Sequence, residues 1–146
     1  VALLLGVVVG LLTQQVLGGL TALSMQGGQS GATLDTMGWP VKLMLSLGAG
    51  LYEELLFRVL IVGGLATGLQ WVLGGSRWIN GVVAAVIGAL IFSAFHYIGQ
   101  YGDPLELTSF TYRAIAGVVF SALYLTRGFG ITAWTHALYD VYVLLL

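Results

Sequence analysis

Apolar residues run along this chain in long stretches, separated by short segments that are polar or rich in glycine. As helices that rise about 1.5 Å per residue, such stretches can cross about 30 Å of hydrocarbon. They cover residues 1–23, 41–69, 79–98, 108–125 and 131–146. They do not alternate apolar and polar residues as the strands of a transmembrane barrel would. The pattern therefore predicts an all-α integral membrane protein, a bundle of about five transmembrane helices.

The composition agrees with a membrane location and narrows the chemistry. Hydrophobic residues make up 58% of the chain and charged residues 8%, whereas charged residues make up about 25% of an average soluble domain. The net charge of −1 offers no basic surface, so nucleic acid is excluded as a partner. Because there is no Cys, any metal must be held by His, Asp or Glu. We expect membrane lipids and membrane-borne molecules as partners.

The segments between the apolar stretches are short, which predicts a single domain over residues 1–146. The chain starts inside an apolar stretch without an initiator Met, which is compatible with a processed form or with part of a longer chain. Residues 1–18 lack the basic start and the small-residue cleavage site of a signal peptide, so they are interpreted as a span. Arg77 and Arg127 share one predicted side, which predicts that this side is cytoplasmic. We expect the membrane to be a bacterial inner membrane.

Charged residues interrupt the second apolar stretch at Glu53, Glu54 and Arg58. An ionised side chain near the bilayer centre costs roughly 2.5 to 3.5 kcal/mol, so such groups persist where they pair, line a wet cavity or perform chemistry. Glu54 and Arg58 are four residues apart and can pair on one helix face, while Glu53 points about 100° away. The three charges could simply neutralise one another as a buried network. The excess carboxylate favours a function for Glu53.

The only histidines of the chain, His96 and His136, also fall inside predicted spans. His96 lies one turn after Phe92, and a single histidine there is as compatible with a packing role as with a ligand or a base. His136 and Asp140 share a helix face because they are four residues apart. They could form a local hydrogen bond, or Asp140 could orient the histidine, or both could be directed at one substrate or metal.

Convergence of Glu53, His96 and His136 would create an intramembrane polar site of two histidines and one carboxylate. Such a set could hold a divalent metal with an open water position, or activate water without a metal. Counting about 1.5 Å per residue from the arginine side puts Glu53 and His136 at similar depth. The same count leaves His96 nearer the opposite face by on the order of 10 Å. Its helix must therefore tilt, begin outside the membrane or have other bounds than predicted.

These segments resemble the motifs of the CPBP family of intramembrane endopeptidases, which contains the type II CAAX prenyl proteases and the bacterial Abi-type proteins. The family motif Glu-Glu-x-x-x-Arg matches residues 53–58, Phe-x-x-x-His matches 92–96, and His-x-x-x-Asn or Asp matches 136–140. The resemblance implies hydrolysis of membrane-associated peptides or prenylated protein tails.

By this resemblance, Glu53 and His96 would activate the attacking water, and His136 and Asp140 would bind the polarised carbonyl or complete the polar site. Structural support would come from Glu54, Arg58 and Phe92. A carboxylate is a poor donor to an oxyanion, so a ligand role or a histidine-orienting role is favoured for Asp140. Zinc or another divalent metal on Glu53, His96 and His136, and a mechanism without metal, are both compatible with the family.

Two other functions stay open. A chain of about five helices is small for enclosing a site alone, which would suit a non-catalytic subunit or scaffold of a larger membrane complex that keeps the family fold. A proton or ion carrier that uses the buried carboxylates as a relay is disfavoured, because the sequence shows no recognisable inverted repeat.

Overall fold

The computed structural model describes residues 38–99 and 102–145, and all regular structure in these residues is helical. The elements in chain order are α1 (Trp39–Glu53), a π-helical segment (Glu54–Gly63), α2 (Gly64–Leu73), α3 (Arg77–Phe95), α4 (Leu107–Arg127) and α5 (Phe129–Leu145). Each predicted stretch from residue 41 onward overlaps one of these helices, and the all-α class is confirmed for the described residues. The predicted span at residues 1–23 lies outside them.

The first three elements form one continuous helix, Trp39–Leu73, of 35 residues. By length and composition, this helix and α3 are the two in the described part of the chain that could cross a membrane. The predicted number of five spans stays a prediction. The helix begins just after Gly38, with Pro40 in its first turn, where the missing N–H of proline removes no helical hydrogen bond.

Glycines with positive φ make the turns between the helices. Gly74 and Gly75 follow α2 with φ of 63° and 76°, and Gly128, with φ of 82°, is the single residue between α4 and α5. These values favour glycine because a Cβ atom is unfavourable in the left-handed region. The connection between α4 and α5 is therefore a tight turn, in agreement with the short connections that the sequence predicts.

Small residues allow the helices to pack closely, as is usual for helices in membranes. A Cβ atom on Gly50 of α1 would lie 2.5 Å from the backbone nitrogen of Ala137 in α5. A Cβ atom on Gly117 of α4 would lie 3.0 Å from Ala89 of α3. The first of these close crossings brings the end of α1 beside the middle of α5, where the polar residues lie.

The described part of the molecule is apolar outside and partly polar inside. Large apolar side chains are exposed on every described helix, with Trp71 of α2 exposed to 90%. The fully buried side chains include Glu54, Arg58 and Thr135 as well as the aromatic ring of Phe57. An apolar exterior of this extent suits lipid as the surrounding medium. Functional residues are therefore expected among the polar side chains of the interior.

Candidate active site

The π-helical segment carries the buried ion pair that the sequence predicts. The Arg58 Nε atom lies 3.0 Å from Oε2 of Glu54, and both side chains are almost fully buried. π-helical turns are rare in proteins, and those that do occur are frequently found at functional sites. Glu53, the last residue of α1, takes no part in this pair and keeps a quarter of its side chain exposed. The predicted pairing of Arg58 with Glu54 rather than Glu53 is confirmed.

The positive charge of the buried Arg58 guanidinium group is balanced by the Glu54 carboxylate and by aromatic rings rather than by hydrogen bonds. Its Nε–H is poorly aligned with Glu54 despite the short distance, and its other two nitrogens have no hydrogen-bond partner among the described residues. Its carbon Cζ lies 4.4 Å from the centre of the Phe92 ring and 5.6 Å from that of Phe120. Cations bind favourably to such ring faces. Glu54 is thus the main counter-charge of a buried cation.

Glu54 also holds His136, which connects the π-helical segment to α5. The Nδ1 atom of His136 lies 2.7 Å from Oε1 of Glu54 and donates its hydrogen to this carboxylate. The imidazole ring is stacked on Phe120, with the ring centres 4.6 Å apart and the planes 17° from parallel. The sequence reasoning left two roles open for Asp140, as a ligand or as the group that orients this histidine. In the structure, a carboxylate from another helix makes that hydrogen bond.

The second ring nitrogen of His136 faces two further carboxylates. Its Nε2 atom lies 3.6 Å from Oδ1 of Asp140 and 3.9 Å from Oε2 of Glu53. Both distances exceed a direct hydrogen bond, and at such separations a water molecule can bridge the groups. The predicted proximity of Glu53 and His136 is therefore confirmed. Three carboxylates surround one imidazole, and among the described residues Glu54 alone of the three has an ion pair to arginine and a direct hydrogen bond, whereas Glu53 and Asp140 have neither.

His96 lies apart from this carboxylate group. The helix α3 ends at Phe95, so His96 falls in the following turn, and its Nδ1 atom donates to the backbone oxygen of Phe92 at 2.9 Å. A carbonyl oxygen only accepts, so the neutral ring keeps Nε2 as an acceptor. The Phe92 ring centre is 4.8 Å from the His96 ring and 6.4 Å from the His136 ring. Within the described residues, His96 forms no ion pair with Glu53 or another carboxylate.

The structure gives no preformed metal centre in the part of the chain that it describes. No group of three or more His, Asp or Glu side chains in residues 38–99 and 102–145 is arranged to hold a metal ion. The proposed set of Glu53, His96 and His136 does not fit a metal here, because these described side chains do not form such a group and His96 contacts Phe92 instead. The divalent metal stays a prediction.

The sequence reasoning missed two groups of polar side chains near these residues. The hydroxyl groups of Tyr112 in α4 and Tyr139 in α5 form a hydrogen bond next to Asp140 in the chain. Arg113 in α4 binds Asp103 in the loop that follows α3. The pair of Arg113 and Asp103 could have been suspected from the sequence, because Arg113 is a charged residue inside the predicted span 108–125.

A protein-family model described as "Type II CAAX prenyl endopeptidase Rce1-like" matches residues 35–142. The match covers well over half of the 146 residues and includes every residue of the three motifs. No curated protein and no solved structure matches the chain significantly.

Proposed function

The chain belongs to the Rce1-like family of type II CAAX prenyl endopeptidases, and we propose that it hydrolyses peptide bonds of membrane-associated or prenylated substrates. The observation that supports this most is the arrangement around His136. Glu54 holds one ring nitrogen at 2.7 Å, and Glu53 and Asp140 flank the other. We further propose a location in a bacterial cytoplasmic membrane, among lipids, with the ends of helices at Arg77 and Arg127 facing the cytoplasm.

Glu53 is the base in this proposal. Its carboxylate is partly exposed, so water and a peptide can reach it, and it is free of the ion pair that occupies Glu54. Glu53 takes a proton from water while the water oxygen bonds to the carbonyl carbon of the substrate. His96 supports this step with Nε2, because Nδ1 is held by the Phe92 carbonyl group. For His96 to take this role, the substrate or a water molecule must bridge the space between His96 and Glu53 beside the Phe92 ring.

His136 stabilises the oxyanion that forms in the same step. In its imidazolium form, His136 donates from Nε2 to the oxyanion and from Nδ1 to Glu54. Arg58 lies behind Glu54 and supplies the counter-charge of the carboxylate that accepts this hydrogen bond. The carbon–nitrogen bond of the substrate then breaks, and Glu53 passes its proton to the leaving amine. Asp140 lies near enough to Nε2 to limit the rotation of the imidazole.

The second candidate function is a non-catalytic subunit or scaffold of a larger membrane complex that keeps the family fold. One observation favours it: His96 contacts Phe92 rather than Glu53 or His136 in the described residues. In a scaffold, the ion pair of Glu54 and Arg58 would serve packing alone.

Cleavage assays with purified protein distinguish the two functions. The substrates are a fluorogenic prenylated peptide and a mixed pool of membrane peptides, and the proteins are the wild type, Glu53→Gln and a control, Glu106→Gln. Glu106 lies exposed in the loop before α4, so its change should leave cleavage intact. We expect cleavage by the wild type and the control but not by Glu53→Gln.

Equal cleavage by Glu53→Gln, His96→Ala and His136→Ala would exclude the proposed mechanism. No cleavage by any of the proteins, together with a partner that co-purifies equally with the wild type and Glu53→Gln, would favour the scaffold.

A further inference from the structure

A group of polar side chains lies beside the end of α3, outside the carboxylate group around His136. We call it the Arg113 cluster, and its members are Tyr97, Asp103, Ser109 and Arg113. One guanidinium group holds the other three members. Its Nη2 atom lies 2.5 Å from Oδ2 of Asp103, and its Nη1 atom lies 2.9 Å from the Tyr97 hydroxyl and 3.1 Å from Oγ of Ser109. The hydroxyl groups of Tyr97 and Ser109 also bond to each other.

Two members of the cluster are attached to the backbone of His96. Tyr97 is the next residue in the chain, and its ring lies 5.2 Å from the Arg113 guanidinium carbon. The backbone N–H of Asp103 donates to the backbone oxygen of His96 at 3.0 Å. The side chain of Asp103 binds Arg113 at the same time. Arg113 therefore holds the peptide of His96 from both sides, through Tyr97 and through Asp103.

The end of α3 needs such an anchor because His96 lies beyond the regular helix. Its N–H bonds to the oxygen of Ser93 at 3.3 Å, three residues back rather than four. Helix ends fray because their last carbonyl groups have no partners within the helix. Among the described residues, the side chain of His96 is held only by the Phe92 oxygen, a group at the same end of the helix. Movement of this end would therefore move the imidazole.

Folding stability alone explains the cluster poorly. Arg113 and Asp103 are about a quarter exposed, and ion pairs with this exposure contribute little to stability. A charged residue in an otherwise apolar helix is nevertheless costly in a membrane and is usually kept for function. The cluster is connected to the His96 backbone at two points, through the covalently bonded Tyr97 and through the N–H of Asp103.

We propose that Arg113 and Asp103 are positioning residues that fix where His96 presents its Nε2 atom, an inference that rests on the proposed role of His96 in hydrolysis. The geometry needs a guanidinium group, because its two terminal nitrogens reach different partners at once. Lysine offers a single ammonium group and cannot reproduce both sets of contacts. Arg113→Lys should therefore keep only part of the positioning of His96 that Arg113→Gln abolishes.

NMR of the histidine rings tests the positioning directly and does not depend on activity. The chain has two histidines, so a sample labelled at the histidine rings gives two sets of signals, and His96→Gln assigns them. We expect Arg113→Gln to shift or broaden the His96 signals and to leave those of His136 unchanged. The control is Arg127→Gln, because Arg127 is exposed at the other end of α4. Unchanged His96 signals would overturn the proposal.

A second variant covers the case in which Arg113→Gln does not fold. Asp103→Asn removes the ion pair from the loop side and keeps the backbone bond to His96, and we expect a smaller shift confined to the same signals. If both histidines change equally and the thermal midpoint falls, or if neither variant folds, the cluster is structural and the proposal is overturned.

Kinetics separate this inference from the proposed function. We expect Arg113→Gln to lower kcat by about tenfold or more, part of the roughly 10²- to 10⁴-fold that a positioned acid–base group contributes. KM should stay within about twofold of the wild-type value, because the cluster acts on the chemical step and not on substrate binding. An active wild type whose kcat and His96 signals are unaffected by Arg113→Gln refutes the positioning role and leaves the proposed function standing. An inactive wild type with the expected His96 shift refutes the function and supports the positioning.

Discussion

The buried pair of Glu54 and Arg58 gives the sharpest test of how the interior is held together. Both side chains are almost completely buried, and none of the three Arg58 nitrogens has a hydrogen-bond partner in the described residues. Replacing one member of a buried ion pair leaves an uncompensated charge, which costs roughly 3 to 5 kcal/mol. Replacing both with uncharged side chains of similar shape is often neutral or stabilising. The expected pattern is therefore strongly non-additive.

The variants are Glu54→Gln, Arg58→Met and the double variant, with Glu106→Gln as a control for loss of one exposed carboxylate. Thermal unfolding in detergent should show a lower Tm for Glu54→Gln, by about 2 to 4 °C for each kcal/mol lost in a chain of this length. Arg58→Met should be less stable than the wild type for the same reason, because it leaves the Glu54 carboxylate without its cation. The double variant should recover most of the lost stability.

Activity should follow a different order from stability. The side chain introduced by Glu54→Gln keeps an oxygen that can accept from Nδ1 of His136 but lacks the charge that favours the imidazolium form. Cleavage should therefore stay low in the double variant even though its Tm recovers. Single variants as stable as the wild type, or a double variant less stable than either single one, would refute the assignment of Glu54 as the main counter-charge of Arg58.

Three further expectations rest on distances given above. Gly50→Ala should destabilise the protein and reduce cleavage, because its Cβ atom would lie 2.5 Å from the Ala137 nitrogen. The control is Gly48→Ala in the same helix, whose Cβ atom would meet nothing within 4 Å, and it should unfold at the same temperature as the wild type. His136→Gln should lower kcat by about 10²- to 10³-fold, the usual loss for an oxyanion donor, and Asp140→Asn should lower it less, because Asp140 lies 3.6 Å from the imidazole. A chelator should leave the wild-type rate unchanged if the Glu53 mechanism is complete, and inhibition that is reversed by added zinc would revive the metal site.

Sequence reasoning succeeded where spacing along one helix determines a contact. The four-residue spacing predicted the pair of Glu54 and Arg58, and counting depth along the spans placed Glu53 near His136. The positions of helices were predicted well because long apolar stretches carry a strong signal. The predicted third span, 79–98, nevertheless runs three residues past the end of α3.

The specific hydrogen bonds between elements could not be predicted from the sequence. The hydrogen bond from His136 to Glu54 depends on how closely α5 approaches α1, which the Gly50 crossing sets and no local pattern reveals. The π-helical register is likewise invisible, because apolar residues fit either helical form. The Arg113 cluster depends on the course of the loop after α3, and His96 was placed at an uncertain depth for the same reason.

The crossing of α1 and α5 has a consequence for biosynthesis. The carboxylates Glu53 and Glu54 leave the ribosome with the first described helix, and His136 arrives only with the last one. Translation must therefore pass through α3 and α4 before the imidazole can reach its partners. A nascent chain that ends before α5 holds Glu53, Glu54 and Arg58 but no assembled site, so any hydrolysis by this protein has to wait until its final described helix has been synthesised and has packed.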